Sequence, residues 1–192
     1  MDQQIILGID PGSRHTGFAV LTEAGRNYRA IVCDAIHADH LEDQMERLRF
    51  IYQGVTDILT EYKPTHCAIE TPVYGVDPLA MLKLGRAQAA ALLAISNQGF
   101  QVTEYYPKAI KKAVTGNGNA SKKQVAYMLE KLVSLPGNRM TTDASDALAV
   151  AWCHHMHLGK PAVATTEKQY HQNNRKSSWA SFIENNPDRV SS

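Results

Sequence analysis

Three strand-like segments follow one another within the first 36 residues, and from residue 40 the apolar spacing becomes that of a helix. This order restricts the chain to folds in which a strand meander runs directly into an α/β layer. Gln4 to Ile9 is a short apolar run ending in Asp10-Pro11-Gly12, which reads as a buried strand entering a tight turn. Thr16 to Thr22 and Tyr28 to Ile36 are rich in β-formers and flank Glu23-Ala24-Gly25-Arg26-Asn27. Together the three segments predict an antiparallel meander.

From His40 to Tyr62, Leu41, Met45, Leu48, Tyr52, Val55, Leu59 and Tyr62 recur every three or four residues, which marks one helical face. Pro64 ends it. Cys67 to Glu70 predicts a fourth strand that finishes on a carboxylate, and Gln101 to Tyr105 a fifth. Pro78 to Asn97 predicts a helix, with proline tolerated in its first turn and Gly99 just beyond its end. Helices are further expected at Pro107 to Val114, at Ser121 to Val133 behind an N-capping serine, and at Thr142 to Leu158. The order predicts an α/β fold: a five-stranded mixed sheet, antiparallel meander plus parallel strands, flanked by helices.

Residues 1–158 would form this domain. The remainder, 159–192, is polar and predicts a tail lacking a core, apart from Trp179, Phe182 and Ile183 at helical spacing. Three dispersed cysteines outside any Cys-x-x-Cys spacing predict a reducing compartment. The N-terminus lacks the basic and apolar regions of a signal peptide, and Ala87 to Ile95 is too short to span a bilayer. A cytoplasmic protein without membrane contact is expected.

Four acids fall at the ends of these elements. Asp10 ends the first strand, Glu70 the fourth, and Asp143 and Asp146 lie three apart at the start of the last helix. Each has a modest alternative: a turn residue at Asp10, or first-turn acids facing a helix dipole at Asp143 and Asp146. Gathered in one cleft, however, four carboxylates repel one another and raise one another's pKa, which bound cations relieve. Oxygen ligands without His or Cys suit Mg²⁺ or Mn²⁺ rather than Zn²⁺. Two such ions are the arrangement that supports in-line phosphodiester displacement. The net charge is only +1, yet Pro107 to Arg139 holds seven Lys/Arg against Glu130 alone, a local excess fit for an anionic substrate.

Gly8-Ile9-Asp10-Pro11-Gly12 with Thr16-Gly17, Ala68-Ile69-Glu70, Leu82-Lys83-Leu84-Gly85-Arg86-Ala87 and Asp143-Ala144-Ser145-Asp146-Ala147-Leu148-Ala149 together resemble the RuvC family of Holliday-junction resolvases. The resemblance spans about Ile5 to Leu158. It implies an RNase H-like fold and a crossover junction endodeoxyribonuclease that nicks two symmetric strands of a four-way DNA junction, in recombination and repair. It implies a site with two Mg²⁺ ions on Asp10, Glu70, Asp143 and Asp146, a homodimer, and cooperation with the RuvA–RuvB branch-migration complex.

The same resemblance places basic family positions on Lys111 and Lys122, with Lys122 expected at the scissile phosphate. Lys108, Lys112 and Lys123 are expected as backbone-phosphate contacts, and Gly116 and Gly118 as a Gly-x-Gly loop approached closely by DNA. Where the family often carries a wedge aromatic three residues after the strand-end Glu, this chain has Val73, with Tyr74 one residue later. Tyr74 is the expected stacking residue. In the second helix, Leu82, Gly85, Ala89 and Leu92-Leu93 offer a dimer surface.

Cys153-His154-His155-Met156-His157 occupies successive helical positions that point different ways, so a helix C-terminus favouring charged histidine is expected rather than a zinc site. His15 is a candidate general base. Two other readings compete: a non-catalytic junction-binding module, and an actin-like or sugar-kinase ATPase, for which the chain is too short.

Overall fold

A computed structural model describes residues 4–25, 27–73, 77–137 and 140–158 of the chain. Tyr74, Arg139 and the expected tail 159–192 with its Trp179, Phe182 and Ile183 lie outside the described residues. The elements are β1 (Ile5–Asp10), β2 (His15–Ala24), β3 (Asn27–His37), α1 (Gln44–Tyr62), β4 (His66–Glu70), α2 (Pro78–Asn97), β5 (Val102–Tyr105), α3 (Pro107–Thr115), α4 (Lys122–Leu132), β6 (Val133–Ser134) and α5 (Thr142–Leu158). They build one mixed sheet in the order β5-β4-β1-β2-β3-β6. β1, β2 and β3 form the antiparallel meander, whereas β4 joins β1 and β5 joins β4 in parallel.

Among the described residues the sheet has six strands rather than the five expected. The additional β6 is two residues long and pairs in parallel with Tyr28 and Arg29 of β3. Two residues are too few to show alternation, so Val133 reads from sequence as the end of α4. α1 begins at Gln44, four residues after the expected start. The Asp43 carboxylate accepts hydrogen bonds from the Met45 and Glu46 N–H groups and so fixes the first turn there. Ser121 caps α4 as expected, in a reciprocal pair with Gln124.

Alternation along the strands divides the interior in two. On one face Ile6, Ala19, Leu21 and Ala68 pack with Leu148 and Trp152 of α5. On the other, Leu7, Ile9, Val20 and Ile69 pack with Val55 and Leu59 of α1 and with Ala91 and Ile95 of α2. Burying each of these larger aliphatic side chains contributes about 1.5–3 kcal/mol. α5 sits unusually close to its face. A Cβ on Gly8 of β1 would lie 2.5 Å from the Ala151 nitrogen and 2.9 Å from the Ala151 Cβ. Gly17 of β2 likewise meets the Asp143 backbone. Only glycine permits that approach.

Two of the histidines near the end of α5, His154 and His155, are disfavoured as cations rather than held charged by the helix terminus. Burial pushes His154 down to about 4, and it also lowers His155. His154 Nδ1 lies 3.0 Å from the Tyr105 hydroxyl, the His155 ring stands against Tyr28, and His157 Nδ1 is 2.7 Å from the Cys153 carbonyl oxygen. Cys33, Cys67 and Cys153 carry thiols rather than disulfides, and burial raises Cys33 and Cys67 to about 12.

Candidate active site

Because β1 and β4 are parallel with Ile9 against Ile69, their next residues, Asp10 and Glu70, leave the sheet at the same edge. Both lie in phase with Ile6 and Ala68 and therefore face α5. Gly8 and Gly17 bring the first turns of α5 down onto this edge, so Asp146 joins the two strand-end acids. α3 and α4 close the other side. The result is a cleft of about 180 Å³ lined by Asp10, Glu70, Asp146, Lys111, Lys122, Pro107, Ile110, Val125 and Ala149.

The electrostatics follow from this crowding. Burial, then the charges of Glu70 and Asp146, raise Asp10 to about 8, with Asp143 adding and Lys122 opposing. Burial and Asp146 raise Glu70 to about 7, against Lys122 and Lys111. Lys122, the first residue of α4, forms an ion pair with Asp146, and that hydrogen bond raises its own pKa. Three carboxylates thus face one fixed ammonium in a partly dry pocket. An all-oxygen donor set that carries this much unrelieved repulsion fits hard divalent cations.

Three of the four acids expected from the sequence line the cleft, and Asp143 does not. Its position at the start of α5 directs its carboxylate toward His15, whose Nδ1 lies 3.9 Å from Asp143 Oδ2. Asp143 nevertheless adds to the repulsion felt by Asp10. His15 is half exposed and pairs through Nε2 with Asp39 at 3.4 Å, which leaves it outside the cleft lining.

Of the expected lysines, Lys111 and Lys122 line the cleft. Lys108 shares with Lys111 a neighbouring depression that also contains Val73, Tyr106, Pro107, Gly118 and Asn119. Lys123 lines a groove beyond Lys122, beside Thr141 and Thr142. Lys112 is exposed on α3. Gly116 ends α3 at φ 77°, and its N–H donates to the Lys112 carbonyl. Tyr106, 64% exposed at the N-terminus of α3 and not singled out from the sequence, lines the depression that holds Lys108 and Lys111.

On α2, Leu82, Gly85, Ala89 and Leu93 are exposed along one stripe, while Leu92 turns inward. Among the described residues α2 is also the helix long and apolar enough to cross a bilayer, although Ala87, Ala90, Ala91, Ala94 and Ile95 are committed to the interior.

The family model described as crossover junction endodeoxyribonuclease RuvC matches residues 6–154. The crossover junction endodeoxyribonuclease RuvC of Salinibacter ruber is 44% identical over 187 residues, covering 97% of this chain and 99% of its own. Its counterpart in Pseudoalteromonas atlantica is 47% identical over 152 residues, covering 78% and 86%. Among solved structures, Thermus thermophilus RuvC in complex with a Holliday junction substrate matches with a TM-score of 0.74 at 29% identity, over 81% of this chain and 94% of that one.

Proposed function

The chain belongs to the RuvC family of crossover junction endodeoxyribonucleases and has its RNase H-like fold; from that membership we propose how its acidic cleft works. It is a nuclease that resolves Holliday junctions. The reading is paired, symmetric nicking of a four-way DNA junction at the cleft formed by Asp10, Glu70 and Asp146, with Asp143 completing the set. The observation that carries it is the meeting of two buried strand-end carboxylates with Asp146 and Lys122 in one pocket.

Asp10, Glu70, Asp143 and Asp146 would hold two Mg²⁺ ions, or Mn²⁺. When bound, such ions lower the pKa of water and stabilise charge on a phosphodiester. The carboxylates themselves have no proton to give once ionised, so they act by holding and orienting. Lys122 reaches into the same pocket from α4 and is in position to offset the charge that develops on the scissile phosphate. Its ion pair with Asp146 holds the ammonium there before DNA arrives.

Lys111 extends this positive wall. Lys108, Lys112 and Lys123 would hold backbone phosphates further out and make binding salt-dependent. Gly116 and Gly118 would let the α3–α4 loop approach DNA closely. Tyr74 keeps its proposed role as the stacking residue.

The exposed stripe of Leu82, Gly85, Ala89 and Leu93 supports a homodimer through α2, because small residues let two helices approach and the leucines then exclude water. Two copies would bring two clefts to two strands. The partner assembly would be RuvA–RuvB, and the compartment the cytoplasm. The test is incubation with a labelled four-way junction, linear duplex and single strand, with and without Mg²⁺. Symmetric nicks confined to the junction and dependent on Mg²⁺ are expected; nicking of duplex and junction alike would refute the assignment.

A further inference from the structure

Beside the cleft, but separate from it, His15, His37 and Asp39 converge on the surface. His15 and His37 are direct cross-strand partners on β2 and β3, both exposed, with ring centroids 5.2 Å apart. Asp39 follows two residues after His37, and the residue between them is a buried anchor. Ala38 is fully buried, and its N–H donates to the Arg14 carbonyl at 2.7 Å, next to His15 in the chain. The sheet register and this backbone bond therefore hold all three side chains together. One ligand atom from each lies within 4.8 Å of the other two.

We propose that His15, His37 and Asp39 form a second metal site, selective for a borderline ion of the Zn²⁺ class and distinct from the all-carboxylate cleft. Two imidazoles and one carboxylate are a donor set for Zn²⁺, Co²⁺ or Ni²⁺, whereas the cleft offers oxygen only. Tetrahedral Zn²⁺ with bonds of about 2.0–2.1 Å requires its ligands about 3.3 Å apart. His15 Nε2 and Asp39 Oδ1 already stand at 3.4 Å. The His37 ligand atom lies within 4.8 Å of the other two, so it must swing in by at most about 1.5 Å, which an exposed side chain can do by rotating within its staggered well. Water takes the remaining position.

The site is coupled to the cleft through one ring. A metal on His15 Nε2 leaves the proton on Nδ1, the nitrogen that faces Asp143. His15 would then donate toward Asp143 in the carboxylate–histidine–metal arrangement. The bound ion thereby draws Asp143 away from Asp10 and Glu70, so Zn²⁺ raises the Mg²⁺ concentration needed for cleavage. This coupling rests on the proposed role of Asp143; the binding does not.

The experiment is a Zn²⁺ titration of the full chain with Mg²⁺ in excess to occupy the cleft, followed by calorimetry and by imidazole ¹⁵N resonances. One equivalent should bind, with the His15 and His37 ring signals shifted. Binding should weaken by roughly an order of magnitude or vanish in His37→Ala and in Asp39→Asn, both exposed positions. Cleavage by the parent should require several-fold more Mg²⁺ when Zn²⁺ is present, and cleavage by His37→Ala should not. Unshifted His15 and His37 resonances in the parent, or equal Zn²⁺ binding by both variants, overturns the site. Binding without any change in Mg²⁺ requirement overturns the coupling alone.

Discussion

Gly17 on β2 lies directly beneath Asp143 on α5: a Cβ at residue 17 would fall 2.7 Å from the Asp143 carbonyl carbon. The obstruction is backbone, so no rotamer change relieves it. Gly17→Ala should therefore lift the first turn of α5, destabilising the fold by about 1–3 kcal/mol. Cleavage should fall further than stability accounts for, because the acid-bearing turn moves away from Asp10. Thermal unfolding and single-turnover nicking, measured on the same preparation, separate the two effects.

Removing the ammonium paired with Asp146 tests the charge argument. Lys122→Ala should slow junction cleavage by about 10²-fold or more, the scale seen when one group that stabilises transition-state charge is deleted. Junction binding should change little, since Lys108, Lys111, Lys112 and Lys123 remain as the proposed phosphate contacts. Gel-shift affinity beside single-turnover rate decides it. A parallel loss of both would assign Lys122 to binding.

The raised carboxyls make stability depend on pH in a specific direction. Asp10 and Glu70 hold their protons to about 8 and about 7 in the fold, well above their ordinary values near 4. The folded chain therefore binds more protons than the unfolded chain across that interval, and stability falls as pH rises through it. In EDTA, the chain should be more stable to urea at pH 5.5 than at pH 8.5, levelling off above the higher pKa. Asp10→Asn should flatten this slope, and Mg²⁺ should restore stability at pH 8.5 to the parent but not to the variant.

The exposed leucines of α2 make the assembly testable apart from the chemistry. Leu82→Glu combined with Leu93→Glu should leave far-UV circular dichroism unchanged and convert dimers to monomers in light scattering. Nicks on the two junction strands should then lose their pairing in time. An unchanged mass would remove α2 from the interface.

Much of this architecture could be read in the chain because its acids terminate apolar runs. Asp10 and Glu70 each follow a run of buried residues, so their place at a sheet edge needs only strand recognition. That both belong to one edge depends on β1 and β4 being parallel neighbours, which periodicity alone does not specify. The pair at Asp143 and Asp146 was legible as one helix face, yet three residues on a helix also advance about 4.5 Å along the axis. This separation is why Asp146 enters the cleft and Asp143 turns toward His15. β6 escaped notice because its two residues carry no pattern. His15, His37 and Asp39 were unreadable as a group because a β-bulge at Val20 and Leu21 shifts the β2–β3 register, and only the observed pairing brings them together.

The sheet is shared unequally by its two faces. α5 with α3 and α4 lines the acidic cleft on one side, and on the other α2, packed beside α1, presents Leu82 and Leu93 to solvent. A second copy seated back to back on α2, as proposed for the dimer, would therefore leave both clefts uncovered, each open to its own arm of a branched nucleic acid.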